Sequence, residues 1–189
     1  MIRCRLQIKV GGRPTEIDIE TIKKVWESIK NKEIRIAVDA NRGWNIEDAI
    51  RVSKECKEVP FIMEQPCDTI EDLQKIKPQL NHPLFMDENS TSLKVVRSVV
   101  ERGIVDGFGM KVTRIGGLEP MKSFRDICAA SNLPHTCDDS WGGDIIAAAC
   151  AHIASTVKEK FLEGAWIAAP YIDGNYDKEN GISIKKMTL

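Results

Sequence analysis

The sequence predicts an α/β fold built on a parallel sheet, and three observations lead to this prediction. Short apolar strands alternate with amphipathic helices along the whole chain. Four strands end in a charged residue, and these residues, Asp39, Glu64, Asp87 and Lys111, follow one another at intervals of 25, 23 and 24 residues. No linker, low-complexity tract or block of like charge divides the chain. Such regular alternation is typical of βαβ units, in which right-handed crossovers connect parallel strands.

Seven segments have the apolar character of strands. In chain order they are Cys4–Val10, IRIAVD, FIME, LFMD, GFGMKV, a short LPH at residues 133–135, and FLEGAWIA. A closed barrel of parallel strands and helices has eight strands, and this chain starts almost directly on a strand. The sequence therefore predicts a single domain over residues 1–189, a partial TIM-type (β/α) barrel that lacks its first barrel strand. An open doubly wound sheet is the alternative.

The helices between these strands are predicted from apolar spacing and from capping residues. The first helix carries apolar residues at helical spacing, and Asp18 is its predicted N-cap. Thr69 and Asp72 resemble a capping box, and Gly103 suits the C-terminal end of the helix SLKVVRSVVERG. Asp144 is the predicted cap of the small-residue helix DIIAAACAHIASTV. A helix around Met121–Ala130 and one over Asn45–Cys56 complete the set.

Composition excludes several classes of function. The 189 residues are 42% hydrophobic and 29% charged, with a formal net charge of −1, which is ordinary for a soluble protein and favours neither nucleic acid nor an anionic membrane as a partner. No apolar run approaches the roughly 20 residues that span a bilayer. Six cysteines without a CxxC pair predict buried free thiols in a reducing cytoplasm, with zinc or disulfide chemistry as the alternative.

The acidic strand ends predict a metal site. Asp39, Glu64 and Asp87 end three consecutive strands, and neighbouring strands in a sheet lie about 4.8 Å apart. Three carboxylates at one register repel each other unless a cation lies among them. Oxygen-only ligands suit a hard ion, so we expect Mg²⁺, with Mn²⁺ as the alternative.

Two lysines end the strands on either side of this set. Lys9 precedes the three acids and Lys111 follows them, so in a barrel the two amines are expected to face each other across the metal. A lysine near other cations has a lowered pKa and can act as a base. The predicted chemistry is proton removal next to a carboxylate, in which the metal stabilises the enolate that forms.

These motifs resemble those of the enolase superfamily, in its mandelate racemase/muconate lactonising branch. The matching pieces are QIKVGG, VDANRGW, MEQP, MDEN and GMKVTRIGGL, which cover most of the chain. The resemblance implies that Asp39, Glu64 and Asp87 are metal ligands and that Lys9 and Lys111 are the acid/base pair. It also implies an N-terminal capping domain that this sequence lacks. The chain departs from the family at Gln7, where the family's Lys-x-Lys strand motif has its first lysine.

The segment LPHTCDDSWGGDI is most similar to hydroxyproline-acting members of that branch. The resemblance implies dehydration of cis-3-hydroxy-L-proline to a pyrroline carboxylate, as a step of amino-acid catabolism. Asp138 and Asp139 could pair with the ring ammonium of the substrate, or serve only in capping and turns. Trp166 could wall the substrate ring, or pack as an ordinary rim or core residue. Racemisation or epimerisation of a proline-like or other amino acid is the alternative reaction.

A second alternative is a non-catalytic barrel fragment, or a subunit that another chain completes. An unpaired strand edge exposes backbone groups that invite association, so a homo-oligomer is expected.

Overall fold

The computed structural model describes residues 4–168 and 171–182. In this part of the chain, seven strands form one sheet in the order β1-β2-β3-β4-β5-β6-β7. Sequential order with parallel neighbours is what repeated βαβ connections produce, so the predicted α/β fold class is confirmed. The strands are β1 (Cys4–Lys9), β2 (Ile34–Asp39), β3 (Phe61–Glu64), β4 (Leu84–Met86), β5 (Gly107–Lys111), β6 (His135–Asp138) and β7 (Leu162–Trp166).

Helices connect these strands. They are α1 (Thr15–Ile29), α2 (Ile46–Glu55), α3 (Ile70–Ile76), α4 (Leu93–Glu101), the one-turn α5 (Val112–Ile115), α6 (Leu118–Ala130) and α7 (Gly143–Ser155). Thr69 caps α3 as predicted, because its side chain accepts a hydrogen bond from the backbone N–H of Asp72. Asn45 caps α2 in the same way through Asp48. None of the described helices is long and apolar enough to cross a membrane.

The chain groups into two compact units. The first runs to Asn89 and includes Arg97–Phe108, so it holds β1 to β4, the start of β5 and most of α4. The second comprises Ser90–Val96 and the chain from Gly109 onwards, which holds the end of β5 together with β6 and β7. Each unit has its own buried apolar interior, with Phe85 and Met63 in the first and Phe124 and Met121 in the second.

Two predicted helix caps are wrong. Helix α1 begins three residues before Asp18, with Pro14 at its N-cap, because the fixed φ of proline suits a helix entrance. Helix α7 has Gly142 at its N-cap, and the Asp144 carboxylate instead accepts hydrogen bonds from the backbone N–H groups of Tyr176 and Asp177, each at 3.0 Å.

The sixth strand is also displaced from its prediction. It runs over His135–Asp138, so only the last residue of the predicted LPH segment belongs to it. The next three residues, Thr136, Cys137 and Asp138, are all buried. The polar residues among them interrupt the apolar run that indicates a buried strand.

Candidate active site

The ends of β1, β2 and β3 bring three predicted site residues level with one another. Lys9 is the register partner of Asp39, and Asp39 is the register partner of Glu64. Asp87 does not share this register, because Glu64 pairs with Phe85 and Asp87 lies two residues farther along. The expectation that all three acids share one register is therefore wrong. A two-residue offset keeps Asp87 on the same face of the sheet, because side chains alternate between faces with period two.

An apolar layer supports the three carboxylates. Ala37, Ile62 and Phe85 precede Asp39, Glu64 and Asp87 by two residues each and form a buried cluster. This layer excludes water from one side of the acids. The carboxylate residues themselves are only 1%, 2% and 0% exposed, so their charges need nearby compensation.

The Asp39 carboxylate is held by β1 and by its own loop. Its Oδ2 accepts from Lys9 Nζ at 2.5 Å and from Gln7 Nε2 at 3.3 Å. Asn41 contributes twice, since its backbone N–H donates to Oδ1 at 2.9 Å and its Nδ2 donates to Oδ2 at 3.2 Å. The side-chain oxygen of Asn41 also accepts from Lys9 Nζ at 3.2 Å, so the Lys9 amine donates to two oxygen acceptors.

The Glu64 carboxylate is held by two other residues of β1. Its Oε2 accepts from Arg5 at 3.1 Å and from Gln7 Nε2 at 3.0 Å. Arg5, Gln7 and Lys9 alternate along β1 and therefore face the same side of the sheet. The Gln7 amide thus bridges Asp39 and Glu64 at the position where the family's motif has a lysine.

A buried aspartate fixes the segment that follows Lys9. Asp18 is fully buried, and its Oδ2 accepts from the backbone N–H of Gly11 at 2.8 Å and from Trp44 Nε1 at 3.1 Å. Its Oδ1 accepts from Arg13 at 3.1 Å. This carboxylate therefore ties the loop after β1 to the loop after β2.

The same two loops touch through glycines. Gly11 has a φ of +84°, and a Cβ added to it would lie 2.5 Å from the Ala40 carbonyl oxygen. A Cβ added to Gly43 would overlap the Gly11 carbonyl. Only residues without a side chain permit this approach, which keeps the loop after Lys9 against the loop after Asp39.

The acids fit a hard cation by donor type but are not gathered into a finished metal site. Among the described residues, no group of three or more His, Cys, Asp or Glu could hold a metal ion as it stands. Asp39 and Glu64 nevertheless converge on one donor, the Gln7 amide. A cation that bound both carboxylates would offset the negative charge that they bring together. The residues that would hold it are Asp39, Glu64 and Asp87.

The other predicted site residues lie in the second unit. Lys111 is the last residue of β5, and Asp138 is the last residue of β6. Asp138 Oδ2 accepts from Thr136 Oγ1 at 2.5 Å, and its Oδ1 accepts from the backbone N–H of Trp166 at 3.0 Å. The sequence interpretation missed Thr136, although it lies two residues before Asp138 and hence on the same face of β6.

Asp139 makes turn hydrogen bonds, which is one of the two roles that the sequence leaves open for it. Its Oδ1 accepts from the backbone N–H of Trp141 at 3.0 Å, and its Oδ2 accepts from that of Ala168 at 2.7 Å. Its own N–H donates to the Trp166 carbonyl. Asp139 is 1% exposed, so it joins the ends of β6 and β7 from within the unit.

Trp166 belongs to an aromatic cluster. Its ring centroid lies 4.9 Å from that of Trp141, in an edge-to-face arrangement, and 6.4 Å from that of Tyr171. Trp141 and Tyr171 are 62% and 71% exposed. The cluster therefore presents aromatic surface to solvent beside Asp138, which ends β6, and Asp139, which follows it.

Five cysteines and two histidines of the described part of the chain are buried and lie outside the carboxylate contacts given above. Cys56, Cys67, Cys128, Cys137 and Cys150 are free and buried, as predicted, and burial raises the pKa of each thiol. Burial lowers the pKa of His135 and of His82, which favours their neutral forms. His82 lies between Ser53 Oγ and the Val59 carbonyl, 2.9 Å from each, and has a structural role.

The chain is similar to several known proteins. Residues 4–186 match the family model described as enolase C-terminal domain-like. A cis-3-hydroxy-L-proline dehydratase from Roseibium aggregatum is 33% identical over 161 residues, which are 85% of this chain and 43% of that protein. An L-Ala-D/L-Glu epimerase from Clostridium acetobutylicum is 29% identical over 133 residues, 68% of this chain and 36% of that protein.

The fold is shared with a solved structure from Roseovarius nubinhibens ISM. That protein is a member of the enolase superfamily complexed with magnesium, and the TM-score is 0.90 at 22% identity, over 96% of this chain and 49% of the other. This likeness confirms the TIM-type fold class. The chain spans less than half the length of each of these proteins.

Proposed function

Because the chain belongs to the family of enolase C-terminal domain-like proteins, we propose that it takes part in removing the proton α to a carboxylate, with Mg²⁺ as its cation. The observation that carries this proposal is the pair of buried carboxylates, Asp39 and Glu64, that meet at one donor beside Lys9. The magnesium in the solved superfamily member supports the choice of cation, and Mn²⁺ is the alternative.

Each residue has a proposed role. Asp39, Glu64 and Asp87 hold the cation. When bound, Mg²⁺ would offset the negative charge that develops on the substrate carboxylate. Lys9 and Lys111 accept and return protons at their Nζ atoms. Asn41 and Asp39 orient the Lys9 amine, which they contact at 3.2 and 2.5 Å.

The proposed substrate is a small imino or amino acid, and the proposed reaction is dehydration of cis-3-hydroxy-L-proline. The dehydratase from Roseibium aggregatum supports this choice. Asp138, Asp139 and Trp166 are the proposed substrate-binding residues. Epimerisation is the second candidate, because a relative from Clostridium acetobutylicum is an epimerase and the same proton would be removed. The homo-oligomer, the cytoplasmic location and the single domain over residues 1–189 stay predictions.

Metal binding is tested first, by thermal unfolding with increasing Mg²⁺. At a concentration of 100 times Kd, a ligand of the native state adds about 2.7 kcal/mol, which raises Tm by roughly 5 to 11 °C for a chain of this size. Asp87→Asn should abolish the rise. Asp68→Asn is the matched control, because the Asp68 side chain is 71% exposed and should leave the rise unchanged. No rise in the parent chain would refute the proposed cation.

Chemistry is tested by incubating the chain with cis-3-hydroxy-L-proline in D₂O and recording proton NMR spectra. Dehydration yields the pyrroline carboxylate, whereas epimerisation exchanges the α-proton for deuterium and keeps the hydroxyl group. Lys9→Met and Lys111→Met should stop either reaction, and Lys57→Met, whose side chain is 63% exposed, should not. If the chain binds Mg²⁺ but shows neither deuterium exchange nor product, that result would support the non-catalytic alternative.

A further inference from the structure

We propose that Gln65 is a positioning residue that sets Asp87 relative to Glu64 and so shapes the site for the cation. The metal in this inference rests on the proposed function. The placement of Asp87 by Gln65 rests on hydrogen bonds alone. Gln65 follows Glu64 directly and is completely buried. A buried amide side chain must satisfy both its donor and its acceptor groups within the protein, and Gln65 does so entirely at the strand ends.

The main chain of Gln65 continues the sheet beyond β3 in both directions. Its N–H donates to the Phe85 carbonyl at 2.9 Å, toward β4. Its carbonyl accepts from the N–H of Arg42 at 2.8 Å, in the loop after β2. Both main-chain polar groups of Gln65 are thereby bonded to the neighbouring segments, and the backbone N–H of Asp87 bonds to the Gln65 side chain.

The side chain of Gln65 supplies the acceptor for this N–H. Its Oε1 accepts from the backbone N–H of Asp87 at 2.9 Å and from that of Asn89 at 3.3 Å. Its Nε2 donates to the Cys67 carbonyl at 3.0 Å and to Asn89 Oδ1. The reversed amide would point an NH₂ group at two N–H donors, so only this orientation satisfies all four partners.

This arrangement explains how Asp87 can lie two residues beyond the register partner of Glu64. Strand β4 ends at Met86, and the backbone N–H of the next residue, Asp87, donates to the Gln65 side chain. The Gln65 side chain takes the place of the ladder there. Gln65 holds a φ of +37°, which is unfavourable for a residue with a side chain and persists only where surrounding contacts determine it.

The test compares Gln65→Met, which keeps the length of the side chain but removes both polar groups, with Ser53→Ala. Ser53 is a buried residue of the same unit whose Oγ accepts from the Asn81 N–H and contacts His82, so its loss destabilises the unit away from the acids. Calorimetric titration with MgCl₂ gives the dissociation constant. Gln65→Met should weaken Mg²⁺ binding by about 10- to 100-fold, as is usual for groups that orient metal ligands. Ser53→Ala should leave the dissociation constant unchanged.

Amide hydrogen exchange of the metal-free chain separates this inference from the proposed function. In Gln65→Met, the amides of Asp87 and Asn89 should lose protection, whereas that of Arg42, which binds the backbone of residue 65, should keep it. If Gln65→Met does not fold, Gln65→Glu should keep Asp87 and Asn89 protected, because it retains Oε1.

The outcomes are distinct. Lack of Mg²⁺ binding by the parent chain would refute the proposed cation, and the exchange result would then decide the role of Gln65. Each of three results would overturn the inference. Two concern amide exchange at Asp87: unchanged exchange in Gln65→Met, or lost protection in Gln65→Glu. The third is a dissociation constant for Mg²⁺ in Gln65→Met equal to that of the parent chain.

Discussion

Removing the carboxylate of Asp18 should destabilise the chain far more than removing its ionic partner. In Asp18→Ala, the Trp44 indole N–H and the Gly11 backbone N–H lose their acceptor. Trp44 is 4% exposed, and a buried donor without a partner costs about 1–3 kcal/mol. Gly11 is only half-buried and adds the lower part of that range. The free energy of unfolding should therefore fall by about 2–5 kcal/mol.

Two further variants separate hydrogen bonding from charge. The Gly11 and Trp44 donors bind the same oxygen of Asp18, so Asp18→Asn can keep both bonds with its carbonyl oxygen and should lose about 1 kcal/mol. Arg13→Ala removes the ion pair, but the Arg13 side chain is 45% exposed, so the expected loss is about 0–1 kcal/mol. Urea unfolding followed by tryptophan fluorescence measures all three. A loss in Asp18→Ala no larger than that in Arg13→Ala would refute the argument.

Three other predictions concern single sites. Gly43→Ala should lower Tm by several degrees, because the new Cβ overlaps the Gly11 carbonyl, and equal melting curves would contradict the close approach of the two loops. The folded chain binds a proton at His82 less readily than the unfolded chain, because burial lowers the pKa of His82. Stability should therefore fall as pH drops below about 6.5, and His82→Gln should flatten this part of a plot of unfolding free energy against pH. Cys137 is fully buried with a raised pKa, so its reaction with a thiol reagent such as DTNB at pH 8 should require unfolding, and rapid labelling of the native chain would disagree.

The strand ends could be predicted from the sequence because two local signals coincide there. An apolar run shows where a strand is buried, and the first charged residue after it shows where the strand reaches the edge of the sheet. Lys9, Asp39, Glu64 and Lys111 all end strands as this reasoning expects. The spacing between these strand ends indicates a parallel sheet, because a crossover through a helix needs a connection this long and a hairpin does not.

Roles that depend on partners distant in sequence were not predictable. Asp18 and Asp144 both precede apolar helical residues, which is the pattern of an N-cap, but each binds main-chain or indole N–H groups outside its own helix. Gln65 belongs to no periodic pattern, and its contacts exist only once β2, β3 and β4 are aligned. Arg5 had a usable signal, because it shares the face of Gln7 and Lys9 on β1.

The charges around Asp39 and Glu64 give Lys9 and Arg5 different parts in the proposed function. The Arg5 side chain is 14% exposed and the Lys9 side chain 60%, so Arg5 is enclosed beside Glu64 while Lys9 can leave Asp39 for solvent or substrate. A cation bound to Asp39 Oδ2 would compete with the Lys9 amine for the same oxygen.

Lys9→Met should therefore bind Mg²⁺ more tightly than the parent chain. An ion pair with one exposed partner contributes about 0–1 kcal/mol, so the gain in affinity should reach at most about fivefold. Titration calorimetry of Lys9→Met against Lys57→Met measures it, because Lys57 is exposed and ends no strand. Weaker Mg²⁺ binding in Lys9→Met would mean that Lys9 holds Asp39 in place for the cation instead of competing with it. Lys9 would then have to keep its contact with Asp39 while the metal is bound, and its proposed exchange of protons with a substrate would need a second path.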